Sequence, residues 1–390
     1  MKVLIFSISA GGGHSKAAES LKEYITLYSP DSTVKVIDTL KYINPIIDKV
    51  IIGSYLKTIK ITPSLFGKLY DYTESDYGLS IISAKFNEIM TYRLLPLIED
   101  FNPDIFIATH PFPTEMLSIL KSKHKINNPI ISILTDYAPH NSWLHPCVDA
   151  YIVSNEYMIP EMMSKGIPKN TIYPFGIPIS KNFLVNYSKE ETLSEINFYP
   201  NKPTILVMGG SLGIGKISKI YENLLKIDED IQIIVIAGNN KKLYYELLSY
   251  RHSLDKDQSS YIIGFTDKVN KYMQASDLLL TKPGGLTITE ALISTIPVAL
   301  FSPIPGQEEK NAEFLLTNKL AVDLGDGSDT KNIIEDLLKN KSKLADIKEN
   351  QKKFSKPNVG GNIYNLIIKL ISDYKINSTE SDSNKKNPDN

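Results

Sequence analysis

This sequence of 390 residues has one cysteine, one tryptophan and almost no net charge. The single cysteine, Cys147, excludes an intrachain disulfide and a cysteine-rich metal site. We therefore expect the protein to reside in the reducing environment of the cytoplasm. The 43 basic and 44 acidic residues give a net charge of −1, which argues against a nucleic-acid binder that works by bulk electrostatics. No apolar run reaches the roughly 18 residues that span a bilayer, and residues 1–6 lead into a glycine turn instead of a signal-peptide cleavage site. These absences leave a protein that is soluble or bound to a membrane surface.

Strand-like and helix-like runs alternate along most of the chain, a pattern typical of parallel sheets with crossover helices. In the first half, the predicted strands cover residues 3–9, 34–37, 105–108, 130–134, 150–153 and 171–174. In the second half, they cover residues 204–208, 231–236, 261–264, 277–280, 297–301 and 321–324. Two such series predict two doubly wound domains, residues 1–180 and 181–355, with the seam in the proline-containing stretch 177–203. We expect residues 356–377 to form a helix on the body of the protein and residues 378–390 a disordered tail.

The segment 272–307 carries the strongest signal of chemistry. It reads as an apolar strand, a glycine turn that contains Lys282, and a helix that opens at Gly284, Gly285 and Leu286. The first amides of a helix lack partners within the helix and therefore bind anions. Glu290, one turn further on, is suited to accept hydrogen bonds from a ribose diol. The segment predicts a site for a nucleoside diphosphate that carries a sugar.

A second glycine turn follows the first strand of the second half. Gly210, Ser211 and Leu212 are expected to present backbone amides to the β-phosphate. Phe265 also follows a strand, and two interpretations of it stay open. It either borders a slot for a uracil base or belongs to the core.

The turn 303–306 leads into a stretch with polar side chains that suit sugar hydroxyls. Gln307, Glu308 and Asn311 are predicted to bind the hexose, which needs paired hydrogen-bond donors and acceptors. A solvated helix N-terminus remains the alternative for Glu308.

The first strand of the chain ends in three glycines and a histidine. Gly12 and Gly13 allow a substrate to approach the backbone, and His14 lies near the start of the following helix. The carboxyl ends of strands are where open α/β sheets bind ligands. His14 is therefore predicted to act on the substrate, with helix capping or packing as the alternative.

Three further segments are predicted to face the same crevice. Asp136 and Tyr137 end a buried strand, although an aspartate in this position can also cap a turn. His110 ends another strand and is expected to line the acceptor cleft. Trp143 belongs either to the core or to an apolar acceptor surface. His140 lies near these residues without the further spaced ligands of a metal site, and no metal is predicted.

The segment 42–72 interrupts the alternation of strands and helices. It is rich in Ile, Leu, Tyr and Phe. The stretch from Lys41 to Lys68 contains five lysines, at positions 41, 49, 57, 60 and 68, against the single acid Asp48. Two interpretations stay open. The segment forms either a patch for an anionic membrane surface or amphipathic helices that cover the core of the first domain.

These motifs resemble those of the GT-B glycosyltransferases. The resemblance is greatest to the family of monogalactosyldiacylglycerol synthases and processive diacylglycerol beta-glucosyltransferases. The matching segments are residues 11–14, 134–137, 281–285, 289–291 and 305–308, in order over about 300 residues.

The resemblance implies an α/β fold of the GT-B type, with two Rossmann-like doubly wound domains that face a central cleft. It further implies an N-terminal acceptor domain, a C-terminal UDP-sugar domain and an inverting reaction without a catalytic metal. No cofactor is expected, since the UDP-hexose is a substrate. The acceptor is diacylglycerol or a related lipid, and either His14 or Asp136 is the base. The turn 209–213 departs from the plant galactosyl enzymes and favours glucose.

Three alternatives to a diacylglycerol glycosyltransferase stay open. One is a cell-wall lipid glycosyltransferase that uses UDP-N-acetylglucosamine, another has a soluble acceptor, and a third is a nucleotide-sugar-binding regulator without catalysis. For the diacylglycerol enzyme we expect a cytoplasmic protein, peripheral at the inner face of the cell membrane.

Overall fold

The computed structural model describes residues 1–9, 12–45, 89–213, 215–252 and 259–385. Two parallel sheets of six strands organise this part of the chain. The strands of the first sheet are β1 Lys2–Ser7, β2 Thr33–Asp38, β3 Ile105–Ala108, β4 Ile130–Ile133, β5 Ala150–Ile152 and β6 Ile172–Tyr173. Those of the second sheet are β7 Thr204–Met208, β8 Gln232–Ile236, β9 Ser260–Ile263, β10 Leu278–Thr281, β11 Val298–Leu300 and β12 Ala321–Asp323. Each strand coincides with a predicted segment to within two residues at either end.

Helices flank both sheets. In the first domain the described α-helices are α1 Gly13–Tyr28, α2 Thr39–Ile43, α3 Leu95–Phe101, α4 Pro111–Ser122 and α5 Met158–Ser164. In the second they are α6 Lys189–Ser194, α7 Ile217–Leu224, α8 Lys241–His252, α9 Val269–Ala275, α10 Gly285–Ser294, α11 Gln307–Thr317, α12 Thr330–Lys339, α13 Lys341–Phe354 and α14 Val359–Lys385. Short 3₁₀ helices cover Tyr92–Leu94, Asn141–Trp143, Lys169–Thr171 and Lys181–Leu184. No helix among the described residues combines the length and apolarity needed to cross a membrane.

The strand order gives each sheet one switch point. The first sheet runs β2-β1-β3-β4-β5-β6, so that the chain leaves β1 in one direction and continues from β3 in the other. The second sheet runs β12-β11-β10-β7-β8-β9, which puts its switch point between β10 and β7. Loops after neighbouring strands diverge at such a point and leave a crevice at the carboxyl ends. The turns that carry the predicted site follow β1, β3, β7 and β10.

Both sheets are buried on both faces, which explains their continuous apolar strands. Val3 and Ile5 of β1 face one apolar cluster, whereas Leu4 and Phe6 face another on the opposite side. The two domains also share an apolar cluster. Tyr137 of the first domain lies in one cluster with Leu286 of the second. Side-chain packing therefore connects the domains beside the cleft.

The last helix, α14, returns to the first domain. Ile363 and Ile367 are fully buried in the cluster that also contains Val3 of the first sheet. Gly360 makes the close approach possible, because a Cβ atom there would lie 2.3 Å from the ring of Tyr24 in α1. The helix continues to Lys385, beyond residue 378, where the sequence predicts the start of a disordered tail. Residues 386–390 lie outside the described part of the chain.

Most of the proposed membrane segment also lies outside the described residues. Helix α2 covers its start, and Tyr42 is exposed there. Lys41 forms an ion pair with Asp38 at 3.0 Å. The other four lysines of the prediction, at positions 49, 57, 60 and 68, fall within residues 46–88, which are not described.

Candidate active site

A single cleft of about 370 Å³ joins the switch points of the two domains. From the first domain it is lined by the predicted residues Gly12, Gly13, His14, His110, Asp136 and Trp143. From the second domain it is lined by the predicted residues Gly210, Ser211, Leu212, Lys282, Gly284, Gly285, Leu286, Glu290, Gln307 and Glu308. These segments lie far apart in sequence, and the cleft brings the predicted acceptor side and the predicted donor side face to face.

The ring of His14 is held in place by polar contacts with two residues of the first domain. Its Nδ1 lies 2.8 Å from the carbonyl oxygen of Thr109 and 2.9 Å from the hydroxyl of Thr135. A carbonyl oxygen only accepts hydrogen bonds, so Nδ1 carries the proton and Nε2 keeps its lone pair. Burial lowers the pKa of His14 to about 4, against the effect of the Thr109 carbonyl, which raises it. The ring is therefore neutral at pH 7, with Nε2 available to take a proton.

His110 packs edge-on against His14, with 4.6 Å between the ring centroids. Its Nδ1 accepts a hydrogen bond from the backbone N–H of Phe112, which makes His110 the cap of α4. Burial, together with the nearby His14, holds the pKa of His110 well below its usual value. The neutral ring then carries its proton on Nε2. Two neighbouring imidazoles thus have opposite tautomers.

Trp143 belongs both to the core and to the surface of the cleft, the two positions that the sequence left open. The indole is almost fully buried in the core of the first domain, and it also lines the cleft. Its ring centroid lies 6.2 Å from that of His14. Trp143 therefore forms an apolar wall beside the histidine.

Asp136 follows β4 and faces the cleft across from the second domain. One carboxylate oxygen accepts a hydrogen bond from the side-chain amide of Asn311 at 3.0 Å. Burial raises the pKa of Asp136 to about 6, with Glu308 adding to the rise and the Asn311 bond opposing it. The carboxylate is mostly ionised at pH 7 and becomes protonated in mild acid.

The second domain presents two sets of backbone amides to the cleft. The turn after β7 contains Gly210 at φ +70°, a left-handed conformation that favours glycine. Helix α10 begins at Gly285, directly after β10, and has no acidic side chain in its first turn. Its N-terminal amides and its dipole favour an anion in the cleft.

Glu290 is a buried carboxylate on the cleft wall, one turn into α10. Within the described residues no side chain or backbone group donates a hydrogen bond to it. Burial raises the pKa of Glu290 to about 7, and the charge of Lys16 partly opposes this rise. A buried acceptor without a protein partner suits a ligand that brings hydroxyl groups.

Lys282 has a partner in the protein. Its ammonium lies 2.8 Å from one carboxylate oxygen of Glu308, and the backbone N–H of Ile304 donates to the other oxygen. Lys282, predicted to lie at the phosphates, and Glu308, predicted to bind the hexose, therefore form an ion pair with each other, and this pair has no net charge. Lys16, in the first turn of α1, is a further cation on the cleft wall that the sequence analysis did not single out.

Across the cleft, the domains touch through a few close contacts. The side-chain amide of Gln307 donates to the carbonyl oxygen of Ala138 at 3.0 Å. A Cβ atom on Gly285 would lie only 1.9 Å from the carbonyl oxygen of Thr135. The start of α10 and the strand end that leads to Asp136 are thus in direct contact.

Three predicted site residues do not line the cleft. Tyr137, predicted to contact the acceptor, is buried between the domains, and its hydroxyl lies 2.9 Å from that of Thr289. Asn311, predicted to bind the hexose, is 0% exposed, and its amide is engaged by other protein groups. Phe265 is 60% exposed at the end of β9, which excludes the core interpretation and leaves its side chain outside the cleft.

The catalytic candidates are held in place by residues for which the sequence had not predicted this role. Thr109 and Thr135 fix His14, and Asn311 holds Asp136. The two threonines follow β3 and β4, a position that by itself predicted proximity to the cleft. Among the described residues, no three potential ligands of the His, Cys, Asp or Glu type cluster to hold a metal ion.

The two Rossmann-like domains and the cleft between them are those of the GT-B fold. The chain matches the monogalactosyldiacylglycerol (MGDG) synthase family over residues 14–179 and the glycosyltransferase family 28 C-terminal domain over residues 204–362. It is 30% identical to the processive diacylglycerol beta-glucosyltransferase of Bacillus cereus (strain B4264), over 94% of this chain and 93% of that protein. The chain belongs to this family of monogalactosyldiacylglycerol synthases and processive diacylglycerol beta-glucosyltransferases.

Solved structures of lower sequence identity share the fold. MurG from Acinetobacter baumannii superposes with a TM-score of 0.60 at 14% identity, over 94% of this chain and 99% of that chain. HepE from Anabaena, solved in complex with UDP-glucose, has a TM-score of 0.57 at 14% identity, over 96% of this chain and 100% of that chain. At this identity the likeness shows the architecture of two Rossmann-like domains.

Proposed function

We propose that this chain transfers a hexose from a UDP-sugar to the hydroxyl of diacylglycerol at a membrane surface, with inversion at the anomeric carbon. Glucose is the proposed donor sugar in preference to galactose. The observation that carries the proposal is the cleft itself, in which a neutral histidine faces two amide-rich turns and a buried carboxylate that has no hydrogen-bond donor among the described residues. The name of the Bacillus cereus relative supports diacylglycerol as the acceptor and glucose as the sugar.

The acceptor reaction begins at His14. The diacylglycerol hydroxyl donates its proton to Nε2, while Nδ1–H stays bonded to the carbonyl of Thr109. The hydroxyl oxygen then forms a bond to C1 of the hexose from the face opposite UDP. The C1–O bond to the β-phosphate breaks, and its electron pair leaves with UDP. Attack from the opposite face inverts the configuration at C1.

The positive charge produced on His14 requires a counter-charge, which we assign to Asp136. Asp136 follows Thr135, whose hydroxyl lies 2.9 Å from Nδ1 of His14. An ionised Asp136 in this environment stabilises the imidazolium electrostatically, as a carboxylate near a catalytic histidine does. We assign proton removal to His14 and charge stabilisation to Asp136.

The donor is held by the second domain. The ribose hydroxyls donate to Glu290, and the amides of Gly210, Ser211 and Leu212, with those at the start of α10, receive the diphosphate. Charge develops on the β-phosphate as UDP leaves, and oriented amides stabilise such charge without a divalent ion. The HepE structure with UDP-glucose supports a UDP-sugar in a cleft of this architecture.

The lipid acceptor requires the cleft to reach a bilayer. Diacylglycerol stays in the membrane, so we assign the membrane contact to the apolar segment 42–72 with its lysines, at the inner face of the cell membrane. Each such cation contributes up to about 1 kcal/mol near an anionic surface, an attraction that salt screens. Replacement of the five lysines by glutamine is expected to weaken binding to anionic vesicles while UDP binding persists.

One experiment tests the proposal directly. The full chain is incubated with diacylglycerol vesicles and, separately, UDP-glucose, UDP-galactose or UDP-N-acetylglucosamine, and the lipids are analysed by mass spectrometry and NMR. We expect a β-linked hexosyl diacylglycerol, formed fastest from UDP-glucose. Transfer only from UDP-N-acetylglucosamine, or only to a soluble acceptor, would replace the proposed substrate. UDP binding without any transfer would indicate a nucleotide-sugar-binding regulator.

A further inference from the structure

Asn311 makes every hydrogen bond that its side-chain amide can donate. The residue lies in α11 of the second domain and is 0% exposed. One N–H donates to Asp136 at 3.0 Å, and another donates to the carbonyl oxygen of Pro283, also at 3.0 Å. Its oxygen accepts the backbone N–H of Tyr137 at 2.8 Å.

These three bonds connect parts of the site that belong to different domains. Pro283 lies in the turn between β10 and α10, which carries the amides assigned to the donor diphosphate. Asp136 and Tyr137 lie at the end of β4, beside the acceptor-activating histidine. A single buried amide therefore holds the donor turn and the catalytic carboxylate in one arrangement, although 175 positions separate Asn311 from Asp136.

We propose that Asn311 is a positioning residue that couples the donor turn of the second domain to the alignment and charge of Asp136 in the first. The inference rests on the proposed function and deepens it. Asp136 is correctly aligned and stabilised in its ionised form only while the turn at Pro283 has the arrangement that receives the donor. Acceptor activation is thereby tied to donor binding and to contact between the domains.

The charged groups around Asp136 make this coupling measurable. Glu308 of α11 opposes ionisation of Asp136, although Lys282 is paired with that glutamate at 2.8 Å. His14 of α1 contacts the hydroxyl of Thr135, the residue before Asp136, and is neutral at pH 7. Glu290 of α10 is a further carboxylate on the same cleft wall. The N–H from Asn311 is the contact that favours the ionised form, so its loss raises the pKa of Asp136.

Two variants separate this role from simple packing. Asn311→Asp keeps the shape of the side chain but replaces the donor with a second carboxyl group. Asn311→Ala removes the donor and leaves a small void. Asn318→Ala is the matched control, because that amide donates to the carbonyl of Phe314 in the same helix, which is a bond within the second domain. Folding of each protein is checked by circular dichroism.

The first readout is the pH dependence of transfer. We expect both Asn311 variants to lower kcat by about 10- to 100-fold at pH 7, the effect of losing a bond to a charged group. The acidic limb of the rate profile is expected to move up by about one pH unit. The dissociation constant of UDP is expected to rise as well, because the turn at Pro283 loses a bond, but by a smaller factor than kcat falls. An equal loss of rate at every pH, with an unmoved limb, would show a merely structural role and overturn the proposal.

The second readout needs no substrate. A double-mutant cycle of Asn311→Ala and Asp136→Ala, measured by chemical unfolding, is expected to show a coupling of about tenfold in the unfolding equilibrium constant at pH 8. The coupling should shrink as the pH falls below about 6, where Asp136 becomes protonated. A coupling that is absent or independent of pH would refute the link. Wild-type protein that fails to glycosylate diacylglycerol would count against the proposed function alone, because this cycle still decides the role of Asn311.

Discussion

Replacement of Gly285 by alanine tests whether contact between the domains is needed for transfer. Gly285 is the first residue of α10, and a Cβ atom there would lie 1.9 Å from the carbonyl oxygen of Thr135. Ordinary contacts of a Cβ atom begin at 3.4 Å, so the two backbones must separate by the difference, about 1.5 Å. The obstacle is backbone, which cannot rotate away as a flexible side chain does.

We expect Gly285→Ala to lower the rate of transfer without destabilising the second domain. Alanine is a better helix former than glycine by about 1 kcal/mol, so α10 itself is not weakened. A displacement of about 1 Å between reacting groups is sufficient to lower a rate by about 100-fold. We therefore expect Gly285→Ala to reduce kcat by about two orders of magnitude while UDP still binds.

The assay compares hexose transfer, UDP calorimetry and small-angle scattering with and without UDP. Gly284→Ala is the matched comparison, because its Cβ would meet only the Glu308 carboxylate, at an ordinary 3.8 Å. We expect a much smaller loss in that variant. Transfer by Gly285→Ala at the wild-type rate, or an equal loss in both variants, would refute the requirement for close approach.

Three other changes probe the chemistry of the cleft. His14→Ala is expected to lower the transfer rate by about 100-fold or more, as losses of a general base do, with UDP affinity nearly unchanged; activity that survives this change but is abolished in Asp136→Asn would move the base to Asp136. UDP affinity measured by calorimetry is expected to fall as the pH drops through about 7, because the pKa of Glu290 lies near that value and the neutral carboxyl accepts ribose hydroxyls less well. In Glu290→Gln the titration of this side chain is removed, so an identical pH dependence in both proteins would exclude Glu290 as the ribose acceptor. Transfer is expected to persist in EDTA, since amides stabilise the leaving phosphate, and a loss of rate that magnesium or manganese restores would show the opposite.

The sequence alone predicted the strands and the general position of the site. The central strands of a doubly wound sheet are buried on both faces, so each of them reads as a continuous apolar run between polar turns. Because the sheets are parallel, the turns that follow strands collect at one edge. Gly12, His14, Gly210 and Glu290 could therefore be assigned to a cleft from local sequence, and all of them line it.

Contacts between the domains had no signal in the sequence. Asn311 stands near Gln307 and Glu308 and has the same polar character, yet it is buried against Asp136 and the donor turn. Tyr137 stands next to Asp136 and is buried where the domains meet. Strand alternation predicts which way a side chain leaves its own sheet, but it carries no information on the surface that another domain brings against it.

The pairing of charges was likewise decided by tertiary structure. Composition and spacing identified Lys282 as a cation beside the phosphate-binding turn, whereas the structure holds it 2.8 Å from Glu308, 26 positions further along the chain. Helical spacing predicted that the last helix has an apolar face, but it did not predict that this face covers the first sheet. Sequence patterns are local and determine secondary structure and the ends of strands. Which distant groups neutralise, orient or bury one another depends on how the two domains pack, and only the folded chain defines that.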